Sequence, residues 1–288
     1  GQILPIEPIE NAAAELASSL SADGSNRAAQ AIMTTDTIEK EVAVQVEIGG
    51  RTVTVGGISK GSGMIHPNMA TMLCFVTTDC AITPAMLQKA VTAAADKTFN
   101  MISVDGDTST NDTLTCMANG EAGNAEIAAA GEAFDTFCAA LTAVCRKLSM
   151  MMAGDGEGAT KLLICRTTGA KDWETAKTVA KSVICSALLK AAMFGEDANW
   201  GRVLCAIGYS GADIDIHKVD VAFQSENGRV DVCENGAGIA FSEEEAAKVL
   251  HAKEITILVD LKSGDMEAEA FGCDLTYDYV KINGDYRT

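Results

Sequence analysis

The sequence predicts an α/β protein of mixed α+β type, in which sheets and helices are stacked in layers. Its 288 residues are 48% hydrophobic, which is enough apolar material for a large packed core. Apolar residues recur with the helical period in some segments and alternate in others, so both helices and strands are expected. Because the two types follow one another without strict strand–helix–strand alternation, layers are favoured over a doubly wound parallel sheet.

The first predicted elements are two helices and a β-hairpin. Residues 9–20 and 26–33 are rich in Ala and Leu and follow capping-type residues, which indicates two short helices. Apolar residues then alternate over 42–48 and 53–55. The Gly-Gly pair at 49–50 separates these runs, and because glycine tolerates positive φ it predicts a primed hairpin turn.

The remaining elements alternate in type along the chain. A Gly-rich loop at 56–68 leads into a predicted strand at 72–77, and a helix with Pro84 in its first turn runs through Asn100. The other predicted helices span 131–152, 171–194 and 242–252. The other predicted strands span 112–117, 161–167, 219–224, 228–233, 254–261 and 267–280.

Charge and hydropathy exclude two classes of partner. Forty acidic against twenty-two basic residues give a net charge of -18, which repels a phosphate backbone. No run reaches the roughly 18 apolar residues that a membrane span needs. Even the apolar stretch at 136–153 is interrupted by Arg146 and Lys147. We therefore expect neither a nucleic-acid partner nor a membrane.

Cysteine and histidine usage indicates a cytoplasmic protein without a metal centre. The ten cysteines are spread through apolar segments, as reduced core residues are, and Gly1 does not open a signal peptide. There is no CxxC pair, and the three histidines are scattered. The run that begins at Asp105 resembles a calcium loop, but Thr110 and Cys116 stand where an EF-hand needs Gly and Glu.

One segment, residues 57–75, combines a flexible backbone with a nucleophile. Three glycines lead to Pro67, then to Ala70 and Thr71, and an apolar strand follows. A strained loop of this kind can present the Ala70 carbonyl to the Thr71 hydroxyl. After cleavage, the α-amine of Thr71, with a reference pKa of about 7.7–8.0, supplies the base that a hydroxyl nucleophile needs. Taken alone, a Thr that opens a strand after such a loop is also ordinary structural chemistry.

Six motifs in order along the chain resemble the ornithine acetyltransferase family, which includes the bifunctional glutamate N-acetyltransferases. They are MTTDT at 33–37, KGSGMIHPNMAT at 60–71, VDGDTSTND at 104–112, GDGEGATK at 154–161, NWGR at 199–202 and NGDYRT at 283–288. Six motifs in register are far more specific than any one of them.

The resemblance implies a layered helix-sheet-sheet-helix sandwich that processes itself between Ala70 and Thr71. Residues 1–70 would then form the C-terminal part of the α chain. Residues 71–288 would form the β chain, with Thr71 as its N-terminal nucleophile. Pairs of such cleaved protomers, heterotetramers of two α and two β chains, are usual in this family.

The activity implied is that of an acetyltransferase of arginine biosynthesis. Thr71 would take the acetyl group from N2-acetylornithine, release ornithine and pass the acetyl group to glutamate in a ping-pong cycle. Bifunctional members of the family also load the acetyl group from acetyl-CoA. Acetyl-CoA would therefore be a further substrate, and no cofactor is expected.

The resemblance also implies a set of substrate-binding residues. These are Thr34, Lys60, Thr71, Glu157, Asn283 and Thr288. We assign the substrate carboxylate to Lys60 and an ammonium group to Glu157, with neutral hydrogen bonds from the other side chains. The alternative is that Lys60 and Glu157 are solvated charges and that Asn283 and Gly284 form a hairpin turn.

Relatives of this kind continue upstream of Gly1, and that segment ends in a Thr-Gly pair which the family uses as its oxyanion hole. The pair is not in this sequence. We therefore expect either a shortened family member or another polypeptide that supplies the segment. Because loss of one oxyanion donor costs about 10²–10³ in rate, cleavage and turnover should depend on that pair.

Two other functions stay open at this point. An N-terminal-nucleophile aminopeptidase or amidase would use water where the transferase uses glutamate. A catalytically silent fragment would keep the acyl-amino-acid pocket without the chemistry.

Overall fold

Two β-sheets with helices packed against them form the fold. The structure, a computed structural model, describes residues 3–66, 72–108 and 111–285. The helices of this part are α1 (Glu7–Ser18), α2 (Ser25–Ala31), α3 (Pro84–Lys97), α4 (Glu132–Gly154), α5 (Trp173–Cys185), α6 (Ala187–Phe194), α7 (Trp200–Gly208), α8 (Glu243–Leu250) and α9 (Tyr277–Asp285). The strands are β1 (Lys40–Ile48), β2 (Arg51–Lys60), β3 (Leu73–Thr78), β4 (Ile102–Ser103), β5 (Thr113–Ala118), β6 (Leu162–Ala170), β7 (Asp220–Ser225), β8 (Gly228–Glu234), β9 (Ala237–Gly238), β10 (Glu254–Asp260) and β11 (Met266–Cys273).

The first sheet has the order β1-β2-β3-β5 and is built on the predicted hairpin. Gly49 and Gly50 join β1 to β2 with φ of 59° and 72°, which confirms the primed turn. β2 is longer than predicted and extends to Lys60, so the glycine-rich loop begins at Gly61 rather than at 56. β3 pairs antiparallel with β2 and parallel with β5, which places the starts of β3 and β5 side by side.

The second sheet has the order β4-β11-β6-β10-β7-β8-β9. α4 contacts both sheets and lies between them. On β11, Glu269 pairs with Arg146 of α4 at 2.6 Å, whereas Gly272 faces Ile184 of α5. Because neighbouring residues of a strand point to opposite faces, α4 and α5 cover opposite sides of this sheet. The layering of sheets with helices confirms the predicted mixed α+β class.

α4 is the longest helix and the centre of the core. Its buried side chains include Phe137, Leu141, Val144 and Leu148. By length and composition alone it is the one helix in the described ranges that could cross a membrane, and more than half of its apolar window is buried inside the protein. That burial accounts for its apolar sequence as a core helix between two sheets.

Two predicted elements were wrong in part, and one helix was not predicted. The predicted helix at 171–194 is divided at Ser186, whose hydroxyl accepts the N–H of Leu189 at 3.3 Å and caps α6. α7 was not predicted and begins where Asn199 accepts the N–H of Arg202. The predicted strand at 267–280 ends at Cys273, and α9 begins at Tyr277 within its predicted second half.

The cysteines agree with a reduced protein. All ten are free thiols. Burial raises the pKa of the thiol of Cys145 to about 12 and likewise that of Cys165, as expected for inert core residues. Cys205 is exposed, in contrast to the core position that its aliphatic neighbours suggest.

Candidate active site

The loop at 61–66 connects β2 to the predicted cleavage segment and is fixed by hydrogen bonds along its length. The N–H of Gly61 donates to Asp36 at 2.7 Å, and the Ser62 hydroxyl donates to the carbonyl of Asp155 at 2.6 Å. The N–H of Met64 donates to the Asp105 carboxylate at 2.7 Å. An orphan backbone N–H is costly when buried, so these acceptors define one path for the loop.

Lys60 and Thr34 form the first pair of predicted substrate-binding residues. Lys60 is the last residue of β2, and its Nζ donates to Thr34 Oγ1 at 3.2 Å. The N–H of Thr34 donates to Asp36 at 3.2 Å. The carboxylate of Asp36 therefore ties the Thr34 segment to the same loop that begins after Lys60.

Glu157 and Asn283 form the second pair. Asn283 Nδ2 donates to Glu157 Oε2 at 2.8 Å, and the N–H of Glu157 donates to the carbonyl of Ser62 at 3.0 Å. The Glu157 carboxyl also lies directly against Gly63. Both pairs thus border the same short loop. Asn283 lies in α9, so the alternative of a hairpin turn at 283–284 was wrong.

A glycine lets α9 approach closely enough for Asn283 to reach Glu157. Gly158 has φ of +69°, and a Cβ there would lie 2.6 Å from the backbone nitrogen of Tyr279. The Thr276 hydroxyl donates to the Gly158 carbonyl at 2.7 Å just before the helix begins. The GDGEG part of the fourth motif therefore combines a charged side chain with the backbone shape that docks α9.

A buried lysine, Lys40, connects the two segments that carry these pairs. Lys40 Nζ binds Asp36 at 2.8 Å and Asp155 at 2.6 Å, and all three side chains are at most 5% exposed. Asp155 also accepts the N–H and the hydroxyl of Thr37. Burial by itself raises the pKa of Asp36, but hydrogen bonds from Gly61 and Lys40 outweigh it and lower that pKa.

Asp105 joins the loop to α9 from the other side. Tyr279 OH donates to Asp105 Oδ2 at 3.3 Å, and burial together with this carboxylate raises the pKa of Tyr279. His66 Nδ1 lies 3.0 Å from Ser103 Oγ and 3.6 Å from Cys185 Sγ. Burial lowers the pKa of His66, so its ring is neutral at pH 7.

No role was predicted from the sequence for Asp36, Lys40, Asp155, Asp105 or Tyr279. Three of these, Asp36, Asp105 and Asp155, stand inside the motifs that carry the family resemblance, which was the signal that could have identified them. Lys40 and Tyr279 lie outside every motif, and no local pattern distinguishes them.

Three predicted site residues lie outside the described residues. They are Ala70 and Thr71, the predicted cleavage pair, and Thr288. The described residues on either side are His66 and Met72. Of the six predicted substrate-binding residues, the structure therefore places Thr34, Lys60, Glu157 and Asn283, and it brings them together around one loop.

The contact between Gly63 and Glu157 predicts the effect of a methyl group at this position. A Cβ at Gly63 would overlap the end of the flexible Glu157 side chain, so Gly63→Ala should displace the carboxyl group from Asn283 and destabilise the fold by about 0.5–1.5 kcal/mol, the net contribution of the lost hydrogen bond. Urea unfolding measures this loss. Gly208→Ala is the matched control, because nothing lies within 4 Å of its Cβ position. Equal stability of the two variants would contradict the contact.

Comparisons with known proteins identify the family of the chain. The family model described as the ArgJ family matches residues 1–288. The chain is 52% identical over 288 residues to the arginine biosynthesis bifunctional protein ArgJ of Caldanaerobacter subterraneus subsp. tengcongensis, covering all of this chain and 72% of the relative. The protein of the same name from Symbiobacterium thermophilum is also 52% identical, with 71% of its length covered.

Comparison with a solved structure confirms the fold. The crystal structure of arginine biosynthesis bifunctional protein argJ from Bacillus halodurans superposes with a TM-score of 0.71 at 45% identity. The match covers 75% of this chain and 100% of the solved chain. With the family model matching along the entire chain, the protein belongs to the ArgJ family, the acetyltransferases of arginine biosynthesis.

Proposed function

We propose that this chain transfers the acetyl group of N2-acetylornithine to glutamate through an acetyl-Thr71 intermediate. The Thr71 oxygen attacks the acetyl carbonyl carbon, the C–N bond to ornithine breaks, and the leaving nitrogen takes up a proton. The amine of glutamate then attacks the acetyl ester and restores the Thr71 hydroxyl. The α-amine of Thr71 moves the proton in both halves of the cycle.

One observation supports this proposal most directly. A cation and an anion, each held by a neutral partner, border the loop that leads to Thr71. Lys60 is bound to Thr34, and Glu157 is bound to Asn283. An acylated amino acid with an amino side chain carries both a carboxylate and an ammonium group. We assign the carboxylate to Lys60 and the ammonium to Glu157, since charge-assisted hydrogen bonds orient such groups strongly. Thr288 belongs to the same proposed set.

The proposed cleavage between Ala70 and Thr71 divides the chain into residues 1–70 and 71–288. The second part makes up about three quarters of the sequence. The solved Bacillus halodurans chain is matched in full by 75% of this chain, which is the proportion that a separate β chain would have. This agreement in length supports the proposed division into an α part and a β part.

Product analysis tests the proposed reaction. The protein is incubated with N2-acetylornithine and glutamate, and the products are separated by chromatography. Acetylglutamate and ornithine in equal amounts are expected. Acetate as the sole acetyl product would favour the amidase alternative, because water would then deacylate Thr71. Binding of acetylornithine without any product would favour the silent alternative.

Glu157→Gln should weaken substrate binding while the shape of the side chain is retained. Loss of a charged hydrogen-bond partner costs about 1.5–3 kcal/mol, so KM for acetylornithine should rise about 10- to 100-fold. Steady-state kinetics measure the change. The control is Glu267→Gln, which removes a half-exposed carboxylate paired with Arg166 on β6, outside this cluster. An unchanged KM in Glu157→Gln would refute the ammonium assignment.

The proposal extends to assembly, donor use and location. We infer a heterotetramer of two α and two β chains, which native mass measurement tests. Acetyl-CoA would act as a second acetyl donor and not as a resident cofactor, and acetylglutamate formation from acetyl-CoA alone tests this. The free thiols and the metabolic substrates support a cytoplasmic location, which cell fractionation tests.

A further inference from the structure

Asp112 lies where β3 and β5 begin and contacts the backbone next to the proposed nucleophile. Its Oδ1 accepts the N–H of Met72. The N–H of the next residue, Thr113, which begins β5, donates to the carbonyl of Met72 at 2.9 Å. Parallel pairing of β3 with β5 starts one residue later, with Leu73 opposite Thr113. Met72 is therefore held on both of its peptide groups by two consecutive residues.

The N–H of Met72 belongs to the peptide unit that Thr71 and Met72 share. The six atoms of a peptide unit, including the carbonyl and Cα of the preceding residue, are coplanar. A carboxylate that fixes the direction of this N–H therefore restricts the peptide unit through which the proposed nucleophile is joined to β3.

The second oxygen of the same carboxylate is exceptional. Asp112 Oδ2 is buried, and no residue in the described ranges hydrogen-bonds to it. A buried carboxylate oxygen without a partner costs stability, whereas a neutral side chain of the same shape would avoid the cost of burying the charge. A group that costs stability in this place is typical of a functional position.

We propose that Asp112 is a positioning residue for the acyl transfer, which holds the Met72 amide so that the nucleophile before it faces the bound acyl group. The inference rests on the proposed function of Thr71. It does not require contact between Asp112 and the substrate. A charged acceptor suits this task, because hydrogen bonds to an ionised carboxylate are about twice as strong as those to a neutral amide oxygen.

Titration of Asp112 reports whether this carboxylate is buried and charged in the folded protein. Burial raises its pKa to about 6, against the lowering influence of the Met72 N–H and of Lys60. Among the residues that the structure describes, Lys60 at the end of β2 is the charged group that lowers the pKa of Asp112 electrostatically. Because the folded pKa exceeds the unfolded one, the proton stabilises the fold below about pH 4, and this contribution is lost as pH rises through 6.

The test is Asp112→Asn in the full chain, measured for both activity and stability. We expect kcat to fall about 10-fold or more, with KM for acetylornithine changed less than about twofold, because no residue assigned to substrate binding is replaced. Rates are expressed per cleaved chain, as quantified on a gel, so that slower cleavage is scored separately. We also expect the melting temperature of the variant, relative to wild type, to be higher at pH 7 than at pH 4.

Asp79→Asn is the matched control. Asp79 follows the other end of β3 and accepts the N–H of Thr54 at 2.7 Å, so it has the same chemistry away from the loop. We expect its kcat to stay within about twofold of wild type.

The outcomes separate this inference from the function on which it rests. If wild type transfers acetyl groups and Asp112→Asn does so equally fast, the positioning role is overturned. If both Asp variants lose kcat equally, the residue is only structural and the inference fails. If the relative melting temperature of Asp112→Asn does not depend on pH, the buried charge on which the inference rests is absent, and the inference fails as well. If wild type shows no transfer that depends on Thr71, the proposed function itself fails.

Discussion

Replacing Thr71 by Ala is expected to abolish both self-cleavage and acetyl transfer. The hydroxyl is the group that attacks the Ala70 carbonyl in the first reaction and the acetyl carbonyl in the second, and alanine has no substitute for it. Removal of a hydroxyl nucleophile costs on the order of 10⁶ in kcat in enzymes of this chemistry. Gel electrophoresis measures cleavage, and acetylglutamate formation measures transfer.

Two further variants make the result specific to the hydroxyl at this position. Thr71→Ser keeps the hydroxyl and should retain cleavage and measurable transfer. Thr77→Ala removes an exposed threonine from the same strand, β3, and should behave as wild type. Cleavage or acetyl transfer at wild-type rate in Thr71→Ala would exclude this residue as the nucleophile.

Replacing Lys40 by Met is expected to destabilise the fold by about 3–5 kcal/mol, because it leaves buried charges unpaired. Lys40 is completely buried and neutralises two carboxylates, Asp36 and Asp155. Without the ammonium group these carboxylates keep their backbone donors but face each other as buried like charges. Urea unfolding measures the loss.

The pH dependence of this loss follows from Asp36. Its folded pKa is lowered, so the ionised carboxylate stabilises the fold above its unfolded pKa of about 3.8, and this stability is lost as pH falls through the folded value. Lys40→Met removes part of this contribution, so the gap to wild type should be largest near neutrality and should narrow on acidification. Lys248→Met is the control, because its exposed pair with Glu244 is worth less than about 1 kcal/mol. Equal losses in the two variants would contradict the buried network.

Much of the site could be predicted from sequence because its residues stand in motifs. Thr34, Lys60, Glu157 and Asn283 come from four different motifs, and the structure brings them together as two hydrogen-bonded pairs. The motifs single out these residues as candidates. They do not reveal the partners, since Asn283 lies 126 positions from Glu157.

The buried ion pair next to the site could not be predicted in the same way. Lys40 is the first residue of an ordinary alternating strand, and its partner Asp155 lies 115 positions away, so only the folded chain shows a buried ion pair. A lysine is almost never fully buried unless it is paired, and local sequence does not report such pairing.

The fold shows the same limit at α9. Leu275, Tyr277 and Tyr279 alternate with polar residues, which is the pattern of a strand. The segment is helical because it docks on Gly158, and the Thr276 hydroxyl binds the Gly158 carbonyl where the helix begins. Tertiary contacts thus override a short local pattern, whereas the longer periodic segments, such as α4, were predicted closely.

The measurement that tests the central claim most directly is the mass of the protein after exposure to N2-acetylornithine alone, with no glutamate present. Fragments of 70 and 218 residues are expected, with Thr71 at the start of the longer one and an acetyl group on that residue in peptide mapping. An intact chain, or an acetyl group on a residue other than Thr71, would contradict the proposed cleavage and acyl transfer.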